Sequence, residues 1–415
     1  AEVLFTPLLV RDKLVRLQPD KSAGPDGIHP SLLHSCADSL AEPLALIFTS
    51  SYRNGVLPDD WKLADITPLH KKGNRSDPGN YRPISLTSVA CKVMESIIKD
   101  KLVDDLTRRN FFSPYQHGFM KGRSCLTNLL ETFEAWTKAL DEGYGIDAVY
   151  LDYRKAFDTV PHKRLLYKLE RAGVNGHLFH WISSFLSQRL MRVRVRSSYS
   201  TWEQVISGVP QGSVLGPLLF LIYINDLPDS IYSCVRMFAD DTKIWSVIRL
   251  PGDSDKLQSD LDRLMDWTQQ WLLAFNVDKC KVMHIGSKSN SEYFLTDRSG
   301  RKKLEETTME KDLGVYVTSD MKSSTQCGKA ASKASSVLAM VKRNFKHIDV
   351  DSFQILFKTY IRPHLEYCIQ SWSPSLVKDI STLERLQRRA TQLVSKLKNR
   401  PYEERLVELG LTTLQ

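Results

Sequence analysis

Apolar positions in the first third of the chain mostly follow a helical spacing. Residues 1–60 carry such patterns on both sides of a turn at residues 23–27, where proline and glycine favour a chain reversal. Residues 61–82 are rich in proline, glycine and basic side chains, which predicts a loop flanked by short strands. Apolar residues then recur at helical spacing over residues 92–106, and a second helix is predicted after Ser124.

The spacing changes in the middle of the chain. Residues 148–151 form a short apolar run that ends at Asp152, which predicts a buried strand with a carboxylate at its end. Residues 162–172 carry apolar side chains on one helical face and are followed by Gly173, a residue typical of the position that ends a helix. Residues 192–196 alternate arginine with valine, which predicts a strand with three guanidinium groups on one face.

The last third of the chain is predicted to be largely helical. Residues 287–312 are polar and lack a clear period, which favours a connector or an irregular hairpin. After Thr318 a helical pattern continues to the end, with cationic side chains opposite its apolar face. One apolar stripe in this region consists of Ile380, Leu383, Leu386, Ala390, Leu393 and Leu397.

Length, composition and charge narrow the class of protein. A chain of 415 residues with 42% hydrophobic and 25% charged residues favours a folded protein with two or three lobes. These values exclude a small disulfide-stapled module and a mostly disordered chain. Lys and Arg together number 57 against 48 Asp and Glu, which gives a net charge of +9. This mild excess suggests a polyanionic partner.

Cysteines and apolar runs bear on the compartment. The seven cysteines are widely separated and form no CxxC motif, so we expect reduced, mostly buried thiols in an intracellular protein. The N-terminus lacks signal-peptide features, and the longest apolar run, residues 214–224, is too short to cross a membrane. Because the chain starts without Met and stops abruptly, we expect it to be a piece of a longer polyprotein.

Three carboxylates stand at the ends of apolar runs, where acidic groups are costly. They are Asp152 and the adjacent pair Asp240 and Asp241. Neighbouring carboxylates repel each other unless a cation or hydrogen-bond donors compensate, and two Mg²⁺ ions about 4 Å apart could do so in phosphoryl transfer. The alternative is a solvated β-turn. The glycine-rich stretch 208–217 between the two acidic sites would let backbone approach a nucleotide, which favours the metal hypothesis.

Six sequence blocks follow one another in a defined order. They are residues 21–27 (KSAGPDG), 80–86 (NYRPISL), 116–119 (QHGF), 151–158 (LDYRKAFD), 210–212 (PQG) and 238–241 (FADD). In this order they resemble the reverse transcriptases of non-LTR (LINE-type) retrotransposons, especially those of the Jockey superfamily. The resemblance extends from about residue 20 to the C-terminal end.

The resemblance implies an α+β fold of the right-hand polymerase type, with fingers, a palm whose antiparallel sheet bears the catalytic aspartates, and a helical thumb. The expected division is an N-terminal extension over residues 1–60 and fingers over 61–145. The palm is expected over 146–318, with a fingers-like insertion at about 162–205, and the thumb over 319–415.

The resemblance also implies roles for the acidic blocks. Asp152, Asp240 and Asp241 would hold two Mg²⁺ ions, which Mn²⁺ could replace, with Asp241 the weaker or indirect ligand. Phe157 would lie under the sugar of the incoming nucleotide and exclude a ribose 2′-hydroxyl. The alternative for Phe157 is an ordinary core side chain beside the strand.

Further residues would bind the nucleotide. Gln211 and Gly212 would border the incoming nucleotide and the template base, or else form only a turn before a buried helix. Arg82, with Lys71 or Lys72, would bind the triphosphate, since a guanidinium is a rigid bidentate partner for phosphate. A solvated basic loop explains the two lysines equally well.

Two later blocks complete the resemblance. Residues 276–280 (NVDKC) match the fourth palm motif, so Lys279 would act near the leaving pyrophosphate as a general acid, with Lys281 as a rival and an ordinary surface lysine as the alternative. Residues 312–315 (DLGV) resemble a hairpin that grips the primer end through Leu313 and Gly314, although a simple glycine turn is equally compatible.

A polymerase holds its duplex mainly through phosphates, so basic residues on one side of the molecule are expected to bind nucleic acid. The candidates are Arg189, Arg192, Arg194, Arg196, Arg385, Arg388 and Arg389.

The function that the resemblance implies is an RNA-directed DNA polymerase that uses an RNA template, a DNA primer or target DNA, and dNTPs. We expect an endonuclease upstream in the full-length protein, action on genomic DNA in the nucleus, and a cytoplasmic ribonucleoprotein. No zinc knuckle is recognisable. Two alternatives are a catalytically silent RNA-binding protein and a two-metal nuclease, which would lack the block with Gln211.

Overall fold

The chain divides into two compact units, each assembled from separate stretches. The computed structural model describes residues 2–286, 291–297 and 300–414. Ala1–Phe119, Asp152–Tyr232 and Ser259–Val277 form the first unit, and Met120–Leu151, Ser233–Gln258 and Asp278–Gln415 form the second. Both contain helices and strands, so the α+β class is confirmed. Within the described ranges, no helix is long and apolar enough to span a membrane.

The α-helices of the described residues vary from single turns to segments of about twenty residues. In chain order they are α1 (Pro7–Leu14), α2 (Pro30–Ser35), α3 (Ala37–Asn54), α4 (Val89–Arg108), α5 (Cys125–Asp141), α6 (Ala156–Thr159), α7 (His162–Arg171), α8 (Gly176–Leu186), α9 (Gly216–Ile224), α10 (Asp253–Trp271), α11 (Ser324–Asn344), α12 (Val350–Leu356), α13 (Arg362–Glu366), α14 (Ile369–Trp372), α15 (Val377–Thr391) and α16 (Tyr402–Glu408).

The strands are mostly short. In chain order they are β1 (Leu63–His70), β2 (Tyr81–Leu86), β3 (Gly145–Leu151), β4 (Leu190–Val195), β5 (Ser198–Tyr199), β6 (Glu203–Gln204), β7 (Cys234–Phe238), β8 (Asp241–Ile248), β9 (Lys281–Ile285), β10 (Phe294–Asp297), β11 (Gly300–Lys303), β12 (Glu305–Glu306), β13 (Met309–Asp312) and β14 (Val315–Thr318).

The first unit contains a sheet in the order β2–β1–β4–β5, with β6 also paired to β4. β1 is antiparallel to β2 and parallel to β4. The helix α9 is apolar on all sides and almost completely buried, as expected for a helix inside a core. Strands on both sides of a loop at residues 71–80 confirm the prediction for residues 61–82.

The second unit is built on a sheet in the order β12–β9–β3–β8–β7. The central strand β3 is antiparallel to both β8 and β9, and every residue of it except Tyr150 is buried. The helix α5 covers this sheet, where Trp136 meets Trp245 edge to face at 6.0 Å. It begins at Ser124 with a capping box, as the sequence predicts. Burial of nearly the whole of β3 explains its continuous apolar run.

The helices from α11 to α16 enclose a separate apolar core in the second unit, which includes Phe353, Phe357, Leu383 and Leu386. This confirms the helical pattern predicted after Thr318. The polar stretch before it contains two hairpins, β10–β11 and β13–β14. Of the predicted connector, residues 287–290 and 298–299 lie outside the described residues.

Two predicted elements end earlier than their apolar spacing suggested. The helix α15 stops at Thr391, yet Leu397 remains buried because a short 3-10 helix carries it back to the same core. The strand β4 stops at Val195, because Arg196 has a φ of 58° and forms the turn into β5. Apolar spacing therefore predicted burial better than it predicted element ends.

The seven cysteines are all free, as expected, but only Cys91, Cys280 and Cys327 are buried. The prediction of mostly buried thiols was therefore wrong. Three of the others, Cys36, Cys125 and Cys368, lie at helix ends, which reach the surface, and Cys234 lies on the edge strand β7.

Candidate active site

Asp240 and Asp241 lie at the tip of the β7–β8 hairpin in the second unit. Phe238 pairs with Asp241, and the two-residue turn between them contains Ala239 in the left-handed region with a φ of 55°. Asp240 is half-buried and Asp241 is exposed. The hairpin therefore carries two adjacent carboxylates, one in the turn and one at the start of β8, and they follow the apolar run of β7 as the sequence predicts.

The third predicted acid follows the strand that pairs with β8. Thr242, the residue after Asp241, is in register with Leu151, the last residue of β3. Asp152 is the next residue along the chain, and it begins a stretch of the first unit. Its backbone carbonyl accepts the N–H of Asn276 at 2.7 Å. The acid is half-buried at its strand end.

Carboxylates such as these suit a hard divalent cation, which takes oxygen ligands and offsets the repulsion between adjacent acids. In the part of the chain that the structure describes, no group of three or more His, Cys, Asp or Glu side chains is arranged to hold a metal. The fit to a metal therefore rests on the carboxylate oxygens of the three acids and on their position at strand ends.

Phe157 lies within an aromatic cluster of the first unit. Its ring stacks on Phe220 of α9 at 4.3 Å with an interplanar angle of 17°, and Phe119 lies edge-on at 6.4 Å. Phe157 is half-buried, so part of the ring remains accessible. Stacking on a buried helix fixes the ring plane, as a group that limits the size of a ligand would require.

Gln211 and Gly212 lie in a loop held tightly in the same unit. The N–H of Ser85 donates to the Gln211 carbonyl at 2.7 Å. Gly212 has a φ of 119°, and a Cβ there would collide with the Ser85 carbonyl oxygen. Only glycine fits this position without a shift of backbone, so the structure gives a physical reason for the Pro-Gln-Gly block.

Asp158 is a neighbour of this loop that sequence reasoning did not select. Gln211 Nε2 donates to Asp158 Oδ1 at 2.8 Å, and Ser207 Oγ donates to the Asp158 carbonyl at 2.9 Å. Burial raises the pKa of Asp158, although the Gln211 hydrogen bond and the charges of Lys155 and Lys71 oppose this shift. The bond from Gln211 orients its side-chain amide, so Asp158 determines which atoms Gln211 can offer to a ligand.

Glu95 is a second residue that the sequence analysis missed. It lies on α4 at 1% exposure, and its Oε2 accepts the N–H groups of Val214 at 2.8 Å and Leu215 at 2.9 Å. Burial raises the pKa of Glu95. This carboxylate anchors the segment between the Gln211 loop and α9. Its signal in the sequence is a lone acid on an apolar helical face.

The candidate triphosphate residues lie on the exposed β1–β2 hairpin. Arg82 is exposed and in register with Leu69, and Lys71 and Lys72 follow β1. The positive charge of Lys71 opposes the rise in the pKa of Asp158, the residue that accepts a hydrogen bond from Gln211.

Lys279 is an exposed residue of the short 3-10 helix Val277–Lys279. Lys281, its rival, forms an ion pair with Glu305 of the neighbouring strand β12. Both lysines remain candidates for the general acid, with Lys279 the one that the sequence block selects.

Leu313 and Gly314 form the turn of the β13–β14 hairpin in the second unit. Leu313 has a φ of 45° and Gly314 one of 93°. The Leu313 carbonyl accepts the hydroxyl of Tyr367 at 2.9 Å. The hairpin predicted at residues 312–315 is confirmed.

The basic residues differ in their availability. Arg189 is 2% exposed and donates to the carbonyls of Phe185 and Trp61, so its proposed contact with nucleic acid was wrong. Arg192 forms an ion pair with Asp65 at 2.7 Å. Its guanidinium also lies 4.0 Å from the Tyr199 ring centroid and 4.4 Å from that of Trp202. The exposed arginines of the remaining set are Arg194, Arg196, Arg385, Arg388 and Arg389.

Comparison with known proteins agrees with this arrangement. Residues 69–327, more than half of the chain, match the family model described as reverse transcriptase (RNA-dependent DNA polymerase). The chain is 28% identical over 408 residues to the probable RNA-directed DNA polymerase from transposon X-element of Drosophila melanogaster, covering 94% of this chain and 44% of that protein.

Two further relatives come from the same organism. The chain is 33% identical over 269 residues to the probable RNA-directed DNA polymerase from transposon BS, covering 62% of this chain and 30% of that protein. It is 29% identical over 292 residues to the RNA-directed DNA polymerase from mobile element jockey, covering 68% of this chain and 32% of that protein. The chain thus spans less than half the length of these curated relatives.

Proposed function

The chain belongs to the reverse transcriptase (RNA-dependent DNA polymerase) family, and from this premise we propose that it adds deoxynucleotides to a primer 3′-hydroxyl on an RNA template. The observation that supports this most is the Asp240–Asp241 turn. Asp241 is the first residue of β8, and β8 pairs with β3 up to Leu151, the residue before Asp152. The three acids that the family resemblance assigns to catalysis thus lie at or next to strand ends: Asp241 starts β8, Asp240 precedes it, and Asp152 follows β3.

Asp152, Asp240 and Asp241 are the proposed metal ligands. Reverse transcriptases use divalent metal ions, and we propose Mg²⁺ for this chain because the donors are carboxylate oxygens. Bound Mg²⁺ would lower the pKa of the primer hydroxyl and neutralise charge on the phosphates. Asp240, half-buried, is the stronger candidate ligand, and the exposed Asp241 is the weaker one.

The residues that the resemblance assigns to the nucleotide would bind it. Arg82, with Lys71 or Lys72, would bind the triphosphate through charge-assisted hydrogen bonds. Phe157, fixed against Phe220, would exclude a 2′-hydroxyl. Gln211, oriented by Asp158, would contact the nucleotide, and Gly212 would allow its close approach. Lys279 would protonate the leaving pyrophosphate.

The wider assignments also remain proposals. We assign fingers, palm and thumb to the ranges expected from the resemblance, and primer binding to the turn at Leu313 and Gly314. RNA template and target DNA are the proposed partners, and an endonuclease is proposed upstream. Because the relatives are named for transposons, we propose a role in copying a mobile element, with DNA synthesis in the nucleus.

Replacement of Asp240 by Asn tests the proposed activity. Asp240→Asn removes one negative charge at the turn with little change in shape, so we expect extension to fall at least about 1,000-fold. Extension of oligo(dT) on poly(rA) with dTTP and Mg²⁺ would measure this loss.

The matched control is Asp351→Asn, an exposed aspartate of α12, which should retain full extension. Full activity of Asp240→Asn would contradict the assignment of the acids. RNA binding by the unmodified protein without any extension would instead favour a silent RNA-binding protein.

A further inference from the structure

A buried ion pair links the strand that follows the acidic turn to the hairpin that bears Leu313 and Gly314. Lys243 lies on β8, two residues after Asp241, and Asp312 is the last residue of β13. Lys243 Nζ lies 2.5 Å from Asp312 Oδ2, and the two side chains are only 4% and 7% exposed. All of these residues belong to the second unit.

Further charged groups act on this buried pair, since Arg236 of β7 is in register with Lys243 and the charge of Asp241 also acts on it. Tyr150 of β3 is in register with Lys243, and its hydroxyl is buried without a hydrogen-bond partner among the described residues. Burial and the negative charges of Asp312 and Glu310 raise the pKa of Tyr150. A charged pair at such a site is costly to desolvate, and apolar side chains could fill the same space at no loss of stability. Its presence therefore suggests a requirement for a defined geometry.

Tyr367 makes a second contact with this hairpin, at its turn. The Tyr367 hydroxyl donates to the Leu313 carbonyl, and a Cβ at Gly314 would lie 2.9 Å from Tyr367 Cε1. Tyr367 directly follows α13, so the turn is held by the C-terminal helices at its tip. Lys243 contacts the same hairpin at Asp312, the residue directly before the turn. The turn is thus held by two contacts, one from Tyr367 and one from β8, the strand that starts at Asp241.

We propose that Lys243 and Asp312 are positioning residues that set the location of the β13–β14 hairpin relative to Asp240 and Asp241. This inference rests on the proposed function, because its consequence is that a primer end bound at Leu313 and Gly314 is placed for reaction at the acids. The pair contacts no reacting atom. A buried ammonium and a buried carboxylate must stay in contact to offset the cost of their desolvation, which allows little sliding of the hairpin, whereas an apolar contact would allow more.

The test compares Lys243→Met, Asp312→Asn and the double variant Lys243→Met with Asp312→Leu. A single change leaves one buried charge without its partner and can unfold the protein, whereas the double change removes both charges and should preserve folding. Thermal unfolding identifies the variants that fold. For these, kcat per active site from burst amplitudes, KM for dTTP and Kd for the primer–template duplex are measured on poly(rA)/oligo(dT).

We expect the folded double variant to bind primer–template within about twofold of the unmodified protein, because phosphate contacts elsewhere dominate binding. Its kcat per active site should fall about 10- to 100-fold, because the 3′-hydroxyl is no longer aligned. The matched control is Lys303→Met, which breaks an exposed pair with Glu292 and should change none of these values.

The alternative outcomes separate the inference from the proposed function. A double variant with an unchanged unfolding temperature and an unchanged kcat per active site would overturn the positioning role alone. A fall in burst amplitude with a normal kcat per active site would show a purely structural role and would also overturn it. Absence of extension by the unmodified protein would overturn the proposed function, and the inference with it.

Discussion

At the scale of single residues, Phe157 shows how one side chain could select the substrate. Phe220 covers one face of its ring, and Phe119 approaches from the edge. The ring therefore cannot turn away from a ligand without losing its stacking partner. A fixed aromatic ring beside a sugar excludes an added hydroxyl through its volume alone.

Phe157→Ala should therefore relax sugar selection. We expect the ratio of kcat/KM for ATP to that for dATP to rise about 10- to 100-fold on a poly(rU) template, because the smaller side chain leaves room for the 2′-hydroxyl. Single-nucleotide incorporation measured with each substrate gives this ratio.

Phe119→Ala is the matched control, since it removes a ring of the same size that is 60% exposed and lies farther from the stack. Its ratio should stay near that of the unmodified protein. An unchanged ratio in a Phe157→Ala variant that still incorporates dATP would remove Phe157 from the selective role.

The sequence was informative at this scale only where chemistry is local. The acid pair at residues 240–241 was predicted at the end of an apolar run, and the structure places it at a hairpin tip. Glu95 and Asp158 were not predicted, because their partners lie 53 to 120 positions away in the chain. Arg189 was predicted wrongly, since alternating or scattered arginines do not reveal which guanidinium is capped by buried carbonyl groups.

At the scale of elements, Lys168 connects three helices of the first unit. It lies on α7, and its ammonium donates to the Tyr223 carbonyl of α9 at 2.6 Å and to Asp226 at 2.5 Å. The Trp271 ring of α10 lies 3.7 Å from the same nitrogen. Burial lowers the pKa of Lys168 to about 8, although Asp226 opposes the shift. A lysine in such a place makes the packing of these helices sensitive to pH.

The sign of this effect follows from proton binding. An unfolded lysine keeps its proton up to a pH of about 10.4, whereas Lys168 in the folded protein releases it near pH 8. Between these values the unfolded state binds more protons, so the contribution of Lys168 to the free energy of unfolding rises with pH. The cost of burying the charge is fully present below pH 8 and is relieved above it.

Urea unfolding at pH 7, 8, 9 and 10 measures this contribution as the difference between the unmodified protein and Lys168→Met. We expect the free energy of unfolding of the unmodified protein, minus that of the variant, to rise by up to about 1 kcal/mol per pH unit between pH 8 and 10. Lys163→Met, on the exposed side of the same helix, should give no such trend. A flat difference for Lys168→Met would show that the buried lysine does not titrate in this range.

Element boundaries were predicted less well than element types. The strand β3 and the helices α4, α5 and α7 were expected where they occur, because their apolar spacing matches a single period. The ends of α15 and β4 were not, because a change of backbone conformation at Val394 or Arg196 leaves the apolar spacing intact. Pairing order in the sheets, such as β1 with β4, was not predictable from local sequence, since it joins segments more than 120 residues apart.

At the scale of the whole molecule, the net charge of +9 is small for a protein proposed to hold a duplex. Some basic residues are paired with acids, as Arg192 is with Asp65 and Lys243 with Asp312. On α15, Arg385, Arg388 and Arg389 are all exposed. Arg385 donates to Thr382, and Arg388 lies 4.5 Å from the Tyr402 ring centroid, so these contacts add no negative charge. Local placement of cations, more than net charge, should therefore determine binding to nucleic acid.

Conversion of these three arginines to glutamine tests that view. Each phosphate contact releases counterions, so loss of a contact lowers the slope of log K against log salt concentration by about 1. We expect a slope lower by about 2 to 3 for the triple variant, measured by fluorescence anisotropy of a labelled primer–template from 50 to 300 mM KCl. Glutamine at Arg16, Arg53 and Arg108, which are exposed arginines of the first unit, makes the same change in net charge and should leave the slope nearly unchanged. Equal changes of the slope in both triple variants would mean that net charge controls binding and that specific contacts of α15 do not.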